Sequence, residues 1–337
     1  MVAKSVLGCW TLLGLASACA SPPASSLHVD TEAGRTVVRQ GDRELIAYEH
    51  GPNFAIPHFF PLTSPSGKLL IAQHPEPYPH HRALWLTDRV QLEGGPDVDF
   101  YHHWKNYVDK ESPELGHLHV IRHDKMTSAD VVNGVALVEA GLTWITNVLD
   151  SDGTAIKGGG TPVLDQVMSL RVRDLGNGEA LCDLTWALTA SYGPVHFKSD
   201  WIHYGWPFLR ISPPFAGDAG GVILSDTGAR GQAETNGKYA RWIDYSNVVE
   251  GIAEGVSVFI VPGPNGELPK WLTREYGTFG PRRVDAFSGT KFVLAEGESI
   301  HGRAGIFVHS GDESTARIDD RYNEYLSWVG PVFEVQP

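Results

Sequence analysis

Cysteine is nearly absent from this chain of 337 residues. Cys9 and Cys19 lie close to the start, and only Cys182 remains in the body. No internal disulfide and no cysteine metal cage can form. The fold must stand on its core, which the length allows. Basic residues are also scarce: 27 Lys plus Arg face 40 Asp plus Glu, a net charge of −13. A chain this acidic lacks the clustered cations of a phosphate-binding groove, so nucleic acid is not an expected partner. After the N-terminus no apolar run approaches the roughly 20 residues of a spanning helix, which excludes helical channels, pumps and membrane oxygenases. Long helical periodicity is rare too, and this removes a doubly wound sheet. With 42% apolar and 20% charged residues, disorder is excluded as well.

What is present begins with an address. Lys4, an apolar stretch from Val6 to Ala18, and Ala16-Ser17-Ala18-Cys19 form the regions of an export signal. Leu15-Ala16-Ser17-Ala18-Cys19 also fits a loose lipobox, which would make Cys19 an acylated N-terminus; the alternative is a plain signal cut near Ala18 or Ala20. The expected organisation is a signal over 1–18, a tether over 19–27, and a single β-sandwich domain over 28–337. The expected location is periplasmic or on the outer membrane, with membrane contact only through the lipid.

Beyond the tether the apolar pattern has period two. Thr36–Gln40 and Arg43–Tyr48, split by Gly41-Asp42, read as a hairpin. Strands are also expected over 68–72, 83–92, 118–126, 131–148, 163–172, 180–189, 221–225, 253–261, 291–294 and 299–309. Many short strands between Gly and Asn turns predict a large antiparallel β-sandwich. One helix is expected near the end: Asp312 or Ser314 caps it, and Ile318, Tyr322, Tyr325 and Leu326 share one face. Cys182 falls in an alternating strand and is expected to be a packed thiol.

Histidine is unevenly spread. Eight of the 15 lie between His74 and His123, where even spacing would place about two. Imidazole exchanges protons near neutral pH and also binds metals, so the cluster marks a site without choosing its use. Pro75-Glu76-Pro77-Tyr78-Pro79-His80-His81-Arg82 is the densest stretch. Its prolines stiffen the loop and present His80, His81 and Arg82 at fixed separations. Asp97-Val98-Asp99-Phe100-Tyr101-His102-His103-Trp104 is a second polar loop. If the two loops meet, they form an imidazole–carboxylate dyad around Asp99, or a metal site of His80, His81 and His102. His117 and His119 share a strand face, as a ligand pair or simply as a polar face.

Aromatic residues accompany these loops. An indole face suits the C–H face of a sugar, so Trp104 and Trp201 are candidate platforms, though a sandwich core also uses Trp; Trp144 and Trp186, within strands, are expected in the core. His203 lies beside Trp201 and is a further candidate base. Lys238 and Arg241, in a basic–aromatic strand, and Arg274, in Trp271–Gly277, are candidate anion-binding groups. Arg241 and Asp244 are alternatively a surface ion pair of little energetic worth.

Several of these words resemble a bacterial family known as PmoA-like, or methane oxygenase PmoA. Pro79-His80-His81-Arg82-Ala83-Leu84-Trp85 is its most specific match. Val98-Asp99-Phe100-Tyr101, Arg241-Trp242-Ile243-Asp244-Tyr245, Arg274-Glu275-Tyr276-Gly277 and the closing Phe307–Asp312 are similar to further family stretches. The resemblance runs from about Pro57 to Tyr325. It departs at Ser199–Gly205, where many relatives carry Asp-Thr-Lys-Glu-Gly-Gly, so no Lys or Glu role carries over there. The resemblance implies a place in exported, polysaccharide-degrading repertoires and a galactose-mutarotase-like supersandwich. It does not imply methane oxidation, because the chain has no spanning helix.

The resulting expectation is an exported carbohydrate-active lyase, epimerase or hydrolase. His80 or His81 exchanges a proton with the sugar, Asp99 orients an imidazole, and Arg82 and Arg241 bind an anion. No cofactor is required, though a divalent metal is compatible. The rivals are a non-catalytic carbohydrate-binding lipoprotein and a His-ligated metal enzyme.

Overall fold

The Gly41-Asp42 pair turns the chain between Arg35–Gln40 and Arg43–Glu49, with Gln40 opposite Arg43. Gly41 has φ +59°, as a tight two-residue turn requires. This hairpin belongs to the first of three antiparallel sheets in the structure, a computed structural model. It describes residues 27–52, 54–102, 119–147, 159–199, 205–282 and 292–330. The signal, Cys19 and most of the tether lie outside the described residues.

Among the described residues the first sheet has eight strands. It runs from Leu27–Glu32 through the hairpin, His58–Leu62 and Leu84–Trp85 to Phe208–Arg210, Thr278–Pro281 and Trp271–Leu272. The second sheet also has eight, including the long Thr161–Gly176, Glu179–Thr189 and Ser299–Ser310. A four-stranded third sheet holds Arg89–Leu92, Asp97–Asp99, Val195–Phe197 and Phe292–Leu294. All three contribute to one apolar core, for example through Leu84, Leu170 and Val90. The chain is thus an all-β antiparallel sandwich with a C-terminal helix, as the period-two pattern predicts.

Alternation decides which face each residue serves. In the second sheet Cys182, Val258 and Ile306 enter the main core, while Leu181, Phe259 and Phe307 turn the other way. The helix Ile318–Val329 covers that second face with Ile318, Tyr322 and Tyr325. Cys182 is the packed thiol expected, and burial pushes its pKa up to about 12. Trp144 and Trp186 are core residues, also as expected.

The structure corrects several boundaries. Residues 68–72 form only isolated bridges, Thr63 with Leu69 and Ile71 with Ile211. The expected strand 83–92 is two strands in different sheets. The chain changes sheet at buried Thr87 and Asp88, and Asp88 accepts the amide of Arg89 at 2.7 Å. The strand around Arg241 begins at Trp242, and the one at Trp271 ends at Leu272. Neither Asp312 nor Ser314 caps the helix. Arg317 stands at the cap, while Asp312 accepts bonds from Ser314 and Thr315 in the preceding turn. A five-residue helix, Gly231–Thr235, has no periodic signature and was not expected.

Candidate functional site

The proline loop folds on itself through backbone bonds. The His74 amide donates to the His81 carbonyl at 2.9 Å, and the His81 amide donates to Tyr78 at 3.0 Å. Ala83, fully buried, follows with φ +81°, a conformation L residues rarely adopt. Its carbonyl accepts the Arg210 amide at 2.7 Å, which ties the loop to the strand Phe208–Arg210. Arg210 pairs in register with Thr278, and Phe208 with Trp85. Trp85, Phe208, Arg210 and Thr278 therefore share one face of the first sheet. Leu209 and Phe279 take the opposite face, where Phe279 packs against Tyr245 of the second sheet at 4.4 Å. The candidate site lies on the face turned away from that contact.

His80 and His81 are both buried there, with ring centroids 4.5 Å apart. Strand alternation would have sent neighbours to opposite sides, but the stretch is a loop and packs them together. The Tyr101 hydroxyl lies 3.0 Å from His81 Nε2, and Thr278 Oγ1 lies 3.4 Å from Nδ1. Burial raises the Tyr101 pKa far above the ordinary phenol value, so the hydroxyl keeps its proton. Tyr78 stacks on His81 at 5.0 Å and on Tyr276 at 4.8 Å. The Arg210 guanidinium closes this column, 5.1 Å from the Tyr276 ring centre.

The second polar loop does meet the first. Asp99 Oδ2 pairs with His102 Nδ1 at 2.8 Å, while Oδ1 accepts the amides of Tyr101 and His102 at 3.0 and 3.1 Å. The His102 ring stands 5.0 Å from His80. Asp99 thus orients His102 directly and fixes the turn that delivers Tyr101. The three candidate metal-ligand rings are neighbours, but His81 Nε2 and His102 Nδ1 face Tyr101 and Asp99. Among the described residues no three of His, Cys, Asp and Glu are grouped to hold a metal ion.

Other candidates are placed elsewhere. Arg82 turns back to His74, 2.6 Å from its Nε2, and burial lowers its pKa to about 10. Arg241 was expected beside the His loops. It instead bonds Asp226 at 2.7 Å and Asp319 at 3.3 Å and lies over Tyr322. Asp319 and Tyr322 belong to the helix on the far face of the second sheet, so the two-sheet core separates Arg241 from His81. Lys238 is exposed, and its backbone pairs with Thr235 and Trp271. Arg274 bonds Asn236 Oδ1 at 2.7 Å, but it stays near the cluster, where its charge acts on Tyr101 and Tyr276. His119 is a core histidine, 2.8 Å from Thr146 Oγ1. Trp85, Trp206, Trp242 and Trp271 are buried, so ring surface at the site comes from Tyr78 and Tyr276. His203, Trp104, Trp201, His103 and His117 lie outside the described residues.

Sequence reasoning missed Tyr78, Tyr101, Arg210, Tyr276 and Thr278 as site members. Tyr78 and Tyr101 stood inside the two flagged loops. Arg210 gave one signal, a lone charge within the apolar run Phe208-Leu209-Arg210-Ile211.

Fold and site define an all-β sandwich protein with a buried imidazole–tyrosine cluster beside its first sheet. The chain belongs to a family of unknown function, DUF6807, whose model matches residues 35–323. No curated protein matches it. Among solved structures it is similar to the GH36 α-galactosidase AgaA A355E from Geobacillus stearothermophilus, in complex with 1-deoxygalactonojirimycin. That match has 12% identity and a TM-score of 0.42, over 85% of this chain and 40% of the other. AgaB of the same organism matches at 13% identity and 0.42, over 87% and 41%. A polysaccharide lyase matches at 8% identity and 0.33, over 88% and 34%. The chain thus spans about two fifths or less of the length of these structures.

Proposed function

We propose that the protein is an exported carbohydrate-active enzyme that moves a proton on a sugar, with His81 and Tyr101 as its acid–base pair. The observation that carries this reading is the 3.0 Å contact between the Tyr101 hydroxyl and His81 Nε2, beneath a column of aromatic rings. A neutral imidazole accepts a proton at one nitrogen, and a buried phenol that keeps its proton can donate it. The rings of Tyr78 and Tyr276 suit the C–H face of a pyranose. Lyase, epimerase and hydrolase chemistry all share the proton transfer. The resemblance to PmoA-like proteins is part of this reading, and methane oxidation is not.

The test is incubation of the purified protein with a panel of polysaccharides, followed by chromatography of the products. His81→Ala should abolish product formation while the circular dichroism spectrum stays unchanged. Wild-type turnover in that variant would reject the assignment. Binding without any product from the wild type would leave a carbohydrate-binding lipoprotein, a role the same aromatic column would serve. Export with a lipid on Cys19 belongs to the same proposal. Palmitate labelling that survives Cys19→Ser would remove it.

A further inference from the structure

We propose that Arg210 is an anion subsite, and that the sugar held beside His81 carries a carboxylate. The inference rests on the reading of this cluster as a sugar site and names its substrate class. Arg210 is 4% exposed, and its buried Nε and Nη1 have no hydrogen-bond partner among the described residues. Several other buried charges among the described residues are served by protein partners. Glu254 accepts from Ser64 and Ser66, Asp183 from Arg171 and Tyr325, and Asp244 pairs with His309. A buried cation whose donors are unused is costly unless an acceptor completes it.

The surroundings fit such an acceptor. The guanidinium sits against Tyr276, whose ring attracts a cation but satisfies no N–H. Burial lowers the Arg210 pKa, and tyrosines supply the opposing influences. Gly277 makes room for the group: at its φ of +96°, a Cβ would stand 2.9 Å from Nη1. The register partner Thr278 places its hydroxyl 3.4 Å from His81 Nδ1, so the donor fork and the imidazole are neighbours. Either unused donor forms, together with Nη2, a planar fork that matches a planar carboxylate in two parallel bonds. In a chain of net charge −13, general attraction of anions is not expected, so selectivity must come from this local geometry.

The test is calorimetric binding of three trisaccharide sets to wild type, Arg210→Met and Arg210→Lys. One set holds galacturonate, glucuronate and mannuronate trimers. The second holds the same trimers with carboxyls reduced to alcohols, and the third holds sulfated neutral trimers. At least one uronate trimer should bind tenfold or more tightly than its reduced counterpart. Arg210→Met should erase that preference, and Arg210→Lys, which keeps the charge but not the fork, should keep part of it. Equal binding of acidic and reduced forms, preference for the sulfated set, or no binding of any uronate overturns the inference. So does a preference that survives Arg210→Met. The imidazole reading fails separately, through turnover that survives His81→Ala, whereas acid selectivity is read without turnover.

Discussion

The Tyr101 hydroxyl and His81 Nε2 stand 3.0 Å apart although the residues come from two different loops. The backbone turn at Asp99 brings Tyr101 to that place, and the proline loop brings His81. If the pair exchanges protons with substrate, Tyr101→Phe removes one partner without changing the shape of the ring. Turnover should then fall by roughly 10²-fold with little change in KM, since acid–base groups contribute about 10²–10⁴. Rates measured from pH 5 to 9 should keep the shape of the wild-type profile, since burial holds Tyr101 protonated throughout that range. An unchanged rate would make the contact purely structural.

Ala83 tests how firmly the site is held. Its left-handed backbone costs a non-glycine residue about 1–2 kcal/mol, and it is buried between His81 and the Arg210 amide. Ala83→Gly relieves that strain but loosens the unfolded chain, so urea stability should shift by no more than about 1 kcal/mol. Ala83→Val adds branched bulk at the same φ and should cost about 2 kcal/mol or more. Equal tolerance of both variants would show that the left-handed geometry is not maintained in solution.

The histidines outside the proton pair set the acid limit of the fold. Burial lowers His58 to about 3. Burial lowers His74 to about 4, with Arg82 adding to the effect. Burial and then His123 lower His50 to about 4. Each is neutral in the folded chain but binds a proton in the unfolded one below its ordinary value of about 6.5. Their stability contribution is therefore present above pH 6.5 and lost as pH falls toward 3–4. For fully buried His58 the slope is about 1.4 kcal/mol per pH unit, and the more exposed pair give less. His58→Gln should flatten that slope in urea titrations between pH 4 and 6.5, and an unchanged slope would show that His58 is charged when folded.

Asp244 and His309 make the opposite case. Both are fully buried, 2.9 Å apart, with Ser246 and Ser257 donating to the carboxylate. Burial opposes the charged imidazole, but the Asp244 charge and hydrogen bond outweigh it and raise the His309 pKa. The pair's stabilisation is complete below pH 6.5 and declines as pH rises through the raised value. Asp244→Ala should cost about 3–5 kcal/mol at pH 6, because it strands a buried imidazole and two hydroxyls. A smaller loss at pH 6 than at pH 9 would contradict this assignment.

The fold class was legible because apolar alternation is a local signal, and each long strand of the second sheet carries it. The joint between the first and third sheets was not. Alternation runs on through 83–92, and only buried Asp88 marks the break. The two polar loops were legible as composition, since prolines and imidazoles stand adjacent in the chain. Their meeting was legible as a condition, and Asp99 with His102 fulfils it. The contribution of Arg210 was not, because register with Thr278 is set by pairing between strands some 70 residues apart. Arg241 misled for the same reason: its basic–aromatic word says nothing of which side of the sandwich it faces.

Gly305 separates stability from function. It lies in Ser299–Ser310 on the far side of the sandwich, where a Cβ would meet the Tyr325 ring at 2.8 Å. Tyr325 is fully buried, and its hydroxyl reaches Asp183 at 2.9 Å. Gly305→Ala must therefore push the helix outward or tilt the ring away from that carboxylate. Overpacking of this kind costs about 1–3 kcal/mol. Ile318 and Tyr322 share the helix, so the whole element should loosen together and amide exchange along 318–329 should quicken. The main core and the first sheet lie between this face and His81. Melting temperature should fall while the rate per folded molecule stays at the wild-type level. A loss of turnover in folded protein would mean that the helix face and the imidazole cluster are coupled through the core.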